Sequence, residues 1–157
     1  MDARQMTKYI ACLSAKGGAG KTTSAINISS SLKYFGKDVV LVDGNFTTPN
    51  ISIHLGMHQL TPTLTDLLNG KSLHISKATY LHPSGIHVVP SSLSLDKIKK
   101  INLNSFSRLL DGLAGGYDFV IIDSSAGLGN EALTTLEVAD EVLIITNPEL
   151  PGVVDAL

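Results

Sequence analysis

Cysteine is nearly absent from this chain of 157 residues. The one present, Cys12, excludes an internal disulfide and any all-cysteine metal site within one chain. Its neighbours Ile10, Ala11 and Leu13 are apolar, which marks it as an inert core residue of a cytoplasmic protein. Charge is also scarce. Asp, Glu, Lys and Arg make up 17% of the residues, and the formal net charge is −2. Bulk charge therefore gives no sign of nucleic-acid binding, and the densest basic cluster (Lys97, Lys99, Lys100) reads as an exposed loop or helix end. Long hydrophobic runs are missing, and none approaches the roughly 18 residues of a membrane-spanning helix. The polar opening MDARQMTK carries no signal-peptide pattern. His54 and His58 stand four apart, a helical ligand spacing, but Gly56 lies between them and no Glu completes a zinc motif.

What the chain does have is aliphatic bulk in short pieces. Hydrophobic residues make up 43% and the mean hydropathy is +0.21, which suits a parallel sheet covered on both faces. Strand-like runs occur at Tyr9–Leu13, Asp38–Asp43, Ile86–Val89, Phe119–Asp123 and Glu141–Thr146. Helical spacing alternates with them. Ala25, Ile28, Leu32 and Phe35 predict one face of a helix from Lys21 to Phe35, with Gly36 at its C-cap. Short helices are expected over Ile51–Leu55 and Thr63–Leu68, and longer ones around Leu103, Phe106, Leu110 and Leu113 and over Asn130–Val138. Strands alternating with helices imply right-handed crossovers and a doubly wound, mostly parallel α/β sheet with helices on both faces.

The most informative stretch is Lys16–Thr23, KGGAGKTT, between the first strand and the first helix. Such a loop aims successive backbone N–H groups inward, and the helix N-terminus adds partial positive charge. Gly17, Gly18 and Gly20 let the backbone approach phosphate oxygens. Lys21 can reach the β- and γ-phosphates, and the Thr22 hydroxyl can bind Mg²⁺. Asp43 and Asp123 end the second and fourth expected strands, where open parallel sheets bind ligands. Each is placed to meet Mg²⁺ directly or through water.

The ordinary phosphate-loop pattern demands Gly where this chain has Ala15, and a second lysine, Lys16, stands five residues before Lys21. This loop resembles that of the MinD/ParA family of P-loop ATPases, closest to the MinD branch. The likeness runs on from Ile10 to Leu157. Asp43–Asn50 resembles the family's first switch segment. Asp123-Ser124-Ser125-Ala126-Gly127 resembles its second, with Ser125 in place of the usual proline. Ala139-Asp140-Glu141 and Thr146-Asn147-Pro148-Glu149 match two later segments.

The resemblance implies a P-loop fold that binds ATP and Mg²⁺ through Gly17, Gly18, Ala19, Gly20, Lys21, Thr22 and Thr23. Gly127 is implied to offer its N–H to the γ-phosphate, and Asn147, Pro148 and Glu149 to border the nucleotide. Thr22, Asp43 and Asp123 become the expected Mg²⁺ residues, and Lys16, Lys21, Asp43 and Asn45 the expected catalytic set. Lys16 is implied to reach across an ATP-dependent homodimer to the partner's nucleotide. A protein activator is expected, with a role in spatial positioning such as division-site selection or chromosome partitioning. Membrane contact is expected only through a later C-terminal region.

The family's domain is longer, so residues 1–157 are expected to be a single P-loop ATPase domain incomplete at its C-terminus, with an apolar edge exposed. A nucleotide-sensing adaptor with negligible hydrolysis is the alternative. An iron–sulfur carrier lacks the cysteines it needs, and a monomeric small-molecule kinase has no use for Lys16. No N-K-x-D guanine motif occurs.

One departure bears on rate. Many relatives place a second aspartate where this chain has Asn45. An amide can hydrogen-bond a water but cannot take its proton. Hydrolysis is therefore expected to be slow, partner-stimulated or altered. Asn45→Asp is expected to turn ATP over much faster than the parent in a steady-state phosphate-release assay, and equal rates would reject a rate-limiting role for the amide.

Overall fold

The computed structural model describes residues 7–70, 74–92, 101–149 and 153–154. The lysine cluster 97–100, the N-terminal residues 1–6 and the segment 150–152 lie outside them.

Six strands form one sheet: β1 (Lys8–Leu13), β2 (Val39–Gly44), β3 (Tyr80–Leu81), β4 (His87–Val89), β5 (Phe119–Ser124) and β6 (Glu141–Ile144). Their order is β3-β4-β2-β5-β1-β6, parallel throughout except for the β3–β4 pair. Among the described residues five α-helices accompany them: α1 (Lys21–Tyr34), α2 (Ile51–His54), α3 (Leu64–Leu68), α4 (Phe106–Asp111) and α5 (Asn130–Val138). The expected doubly wound α/β fold is the observed one.

Strand alternation splits the core into two layers. Val40, Val42, Val120 and Ile122 face a cluster closed by Leu64, Leu67, Phe106, Leu110 and Val138. Val39, Leu41 and Ile121 face the other side, against Ala25 and Ile51. Because β2 is covered on both faces, all six of its residues are buried, as its unbroken aliphatic run requires. Phe46, just past β2, meets Phe106 edge to face with ring centroids 5.7 Å apart. This pins the start of the loop after β2 to α4. At Gly44 an added Cβ would lie 3.1 Å from Ile122 Cγ2 and 3.3 Å from Thr135 Oγ1, so only glycine lets α5 sit this close to the end of β2.

One expectation changes and one element is new. Phe35 is 76% exposed rather than on the core face of α1. It lies past the helix end, where Gly36, at φ +81°, turns the chain away. The face of α1 that meets the sheet carries the expected Ala25, Ile28 and Leu32 together with Ser29, whose hydroxyl donates to the Ala25 carbonyl at 2.8 Å. Small residues there bring the helix close. The two-residue strand β3 was not anticipated, since two residues cannot display alternation. As expected, no helix among the described residues reaches His58, because Gly56, at φ +65°, follows the end of α2. His54 Nδ1 contacts the Asn50 carbonyl instead, at 2.9 Å.

The edge strand β6 leaves Val142, Leu143 and Ile144 between 37% and 52% exposed. No helix among the described residues is long and apolar enough to cross a membrane.

Phe106 is fully buried and braces the loop after β2. Phe106→Ala is expected to cost about 3–5 kcal/mol of stability, seen as a lowered urea midpoint at unchanged slope.

Candidate functional site

The carboxyl ends of β1, β5 and β2 lie side by side and set the site. Strand register places Asp123 next to Cys12 on one side and next to Asp43 on the other. Two carboxylates thus stand at one level on neighbouring strands. The chain leaves β1 at Leu13, loops through residues 14–20 and enters α1 at Lys21. Within that loop Gly18 (φ +82°) and Gly20 (φ +89°) adopt the left-handed conformation that favours glycine. A Cβ at Gly17, Gly18 or Gly20 would meet nothing within 4 Å. The glycines therefore serve backbone shape and open approach, with no packing role.

Below the loop, Lys21 Nζ donates to Asp123 Oδ1 at 2.5 Å, and both side chains are buried. The Thr22 hydroxyl donates to the other oxygen, Oδ2, at 2.6 Å. One carboxylate so collects both side chains that open α1.

Asp43 is fully buried. Its Oδ1 accepts the Asn45 N–H at 3.3 Å and its Oδ2 accepts the Ile51 N–H at 3.2 Å. Burial pushes its pKa up to about 8, helped by the negative charge of Asp123. The two backbone N–H groups and Lys21 pull the other way. Cys12 is likewise raised to about 12, first by burial and then by Asp123, which fits an inert thiol.

The cavity above these groups has a volume of about 820 Å³, within the ordinary range for small-ligand sites. Gly17, Gly18, Gly20, Lys21, Thr22 and Thr23 form one wall. The rest of the lining comes from the loop after β2, through Asn45, Thr47 and Asn50, from the loop after β5, through Ser125 and Ala126, and from the start of α5, through Glu131.

Not every expected residue lies on these walls. Lys16 is exposed and lines no part of the cavity, and Ala19 does not line it either. Asn147, Pro148 and Glu149 are exposed and apart from it. The Gly127 N–H donates to the Ser14 carbonyl at 2.9 Å, so here it ties the second loop to the first. Asn45 turns its amide to Thr48, donating from Nδ2 to Oγ1 at 3.0 Å and accepting the Thr48 N–H at 3.1 Å.

Sequence reasoning missed Glu131. Its carboxylate accepts the Phe46 N–H at 3.2 Å and the Thr47 hydroxyl at 2.6 Å. In sequence it is only an acidic residue in the first turn of a helix, favoured there by the helix dipole. Nothing local announces a partner 85 residues away.

Among the described residues no three His, Cys, Asp or Glu side chains gather to hold a metal. A Mg²⁺ site needs no such cluster, since that ion is held by one or two carboxylates together with a ligand's phosphates and water. Asp123 and Thr22 fit this, already meeting at 2.6 Å beside the glycine loop.

A glycine loop between a parallel strand and a helix, with Lys and Thr converging on a strand-end Asp, defines a P-loop nucleotide-binding domain. The family model for an AAA domain matches residues 7–153, and the chain belongs to the MinD/ParA family of P-loop ATPases. It is 35% identical over 148 residues to an uncharacterized ATP-binding protein of Methanocaldococcus jannaschii, covering 94% of this chain and 56% of that one. It is 32% identical over 154 residues to the septum site-determining protein MinD of Thermotoga maritima, covering 96% and 56%. The solved structure of MinD complexed with Mg-ADP from Pyrococcus horikoshii superposes with a TM-score of 0.90 at 33% identity, covering 96% of this chain and 62% of that one. The chain spans a little over half the length of the curated relatives it matches.

The raised pKa of Asp43 has a stability consequence. The unfolded chain gives up this proton near the ordinary value of 3.8, and the folded chain only near pH 8. Stability from this group is complete below the unfolded value and is lost as pH rises towards 8. Asp43→Asn removes the titration. Without metal or nucleotide, the melting temperature of the variant minus that of the parent is expected to grow from pH 5 to pH 8 and then level off. A flat difference across that range would show that Asp43 is not desolvated as described.

Proposed function

We propose that this chain carries the nucleotide site of an ATP-hydrolysing dimerisation switch that positions a large cellular assembly. The observation that carries the reading is the convergence of Lys21 and Thr22 on Asp123 beneath the glycine loop. The choice of ATP and Mg²⁺ is supported by the ATP-binding relative and by the Mg-ADP complex of the Pyrococcus MinD.

An entering polyphosphate meets the backbone N–H groups of residues 17–23 and the N-terminus of α1. Lys21 then exchanges the Asp123 carboxylate for phosphate oxygens. Thr22 and Asp123 would hold Mg²⁺, which when bound would supply neutralisation of the phosphate charge. Asp43 has no exposed atom and sets the loop after β2 through its two N–H acceptances. Gly127 must release Ser14 before its N–H can meet a γ-phosphate. The second loop would therefore differ between triphosphate and diphosphate states. Lys16 stands outside its own cavity wall, free to stabilise charge on a partner's nucleotide as an arginine finger does. Asn147, Pro148 and Glu149 would border the nucleotide and the partner subunit. Hydrolysis would be slow until a protein activator binds, and the switch would work in the cytoplasm or on a membrane surface.

One observation favours a second reading. Asn45 spends its amide on Thr48, so no side chain at that position is ready to orient an attacking water. An adaptor that binds ATP to change partners and hydrolyses it negligibly would need nothing more.

Light scattering distinguishes the readings. A dimer with ATP and Mg²⁺, a monomer with ADP and Mg²⁺, and loss of the dimer in Lys16→Ala are expected for the switch. A monomer in both states with nucleotide demonstrably bound would select the adaptor.

A further inference from the structure

The loop after β2 supplies one wall of the cavity, and three carboxylate or amide groups fasten it. Asp43 holds its two ends through the Asn45 and Ile51 N–H groups. Asn45 folds its middle through Thr48. Both are contacts within the loop or with its own strand. Glu131 is different, because it belongs to α5, the helix that follows the second loop. Its two carboxylate oxygens take the Phe46 N–H and the Thr47 hydroxyl, at 3.2 and 2.6 Å. Phe46 is itself immobilised by Phe106, so Glu131 acts on the exposed part of the loop through Thr47. Glu131 and Thr47 both line the cavity, on the side facing Lys21 and Thr22.

We propose that Glu131 is a positioning residue that clips the loop after β2 to α5 and thereby sets how well the cavity prefers a nucleoside triphosphate to a diphosphate. The proposal rests on the nucleotide-binding reading above. The walls divide the work unequally. The glycine loop with Lys21 and Thr22 can hold a diphosphate without help from the facing wall. A third phosphoryl group would reach further across the cavity, whose remaining lining is the loops after β2 and β5, so order in those loops is worth affinity to it. A loop already clipped needs less ordering when the ligand arrives. Position matters as well, since α5 begins directly behind the Asp123–Gly127 segment. A shift of that segment would reach the first loop through one carboxylate.

The clip can be cut from either side. Thr47 is exposed, so Thr47→Val removes the hydroxyl without disturbing the core and leaves the Glu131 charge in place. Glu131→Ala also removes a negative charge from the cavity wall, which by itself favours an anion. The two variants together therefore separate positioning from charge. Calorimetric titration with Mg²⁺ and either ATPγS or ADP gives the readout.

Thr47→Val is expected to weaken ATPγS about tenfold, the loss typical of a hydrogen bond to a charged group, and to leave ADP unchanged. Thr47→Ser should restore the parent ratio. In the Glu131→Ala background, Thr47→Val should have no further effect, because its partner is gone. Equal weakening of both nucleotides, no weakening of either, or the same loss with and without Glu131 would each overturn the proposal. A parent chain that bound neither nucleotide would instead withdraw the nucleotide-binding reading, and the clip with it.

Discussion

The contact between Lys21 and Asp123 governs this structure. It joins the first turn of α1 to the end of the central strand β5 across 102 residues of sequence, and both side chains are buried. A buried pair of this kind is costly to break from one side, because it strands the other charge. Here the arithmetic is also uneven. Two carboxylates, Asp43 and Asp123, stand on adjacent strands with a single buried lysine between them. Asp43, desolvated by its burial and beside the negative charge of Asp123, holds its proton up to about pH 8. Burying two carboxylates side by side costs stability, as functional sites commonly do.

Packing serves that pair. The continuous burial of β2, the small residues on the inner face of α1 and the bare Gly44 beneath α5 all bring elements closer than larger side chains would allow. The result is that three loops from three strand ends converge on one cavity. They are also joined to one another. Gly127 reaches Ser14, and Glu131 reaches Phe46 and Thr47. Each link is a hydrogen bond from or to a short loop, which leaves the loops ordered but changeable, whereas the strands behind them are not.

Much of this was legible in the sequence because it is local. The eight residues from Lys16 to Thr23 carry their own context, a strand before and a helix after. Asp43 and Asp123 could be placed at strand ends from the aliphatic runs that precede them. Their register was not legible, because strand order depends on crossovers, and β5 inserts itself between β1 and β2. Phe35 misled because it continues the helical period by one residue beyond Tyr34, where the helix ends just before Gly36. Strand β3 was too short to show a period, and Glu131 too ordinary in its helix to suggest a distant loop. In each case the missing information was a contact between elements far apart in the chain.

The strand order has a consequence for how the chain is made. Among the described residues β1 pairs with β5 and β6, so this strand waits for residues 119–124 before it has a neighbour in the sheet. At about 5–20 residues per second of synthesis, that wait is on the order of 5–20 seconds. During it, the apolar strand and the glycine loop are held by nothing, and α1 has only β2 to lie against. The cavity is therefore a late product of synthesis, complete only once β5 has threaded between two strands already made.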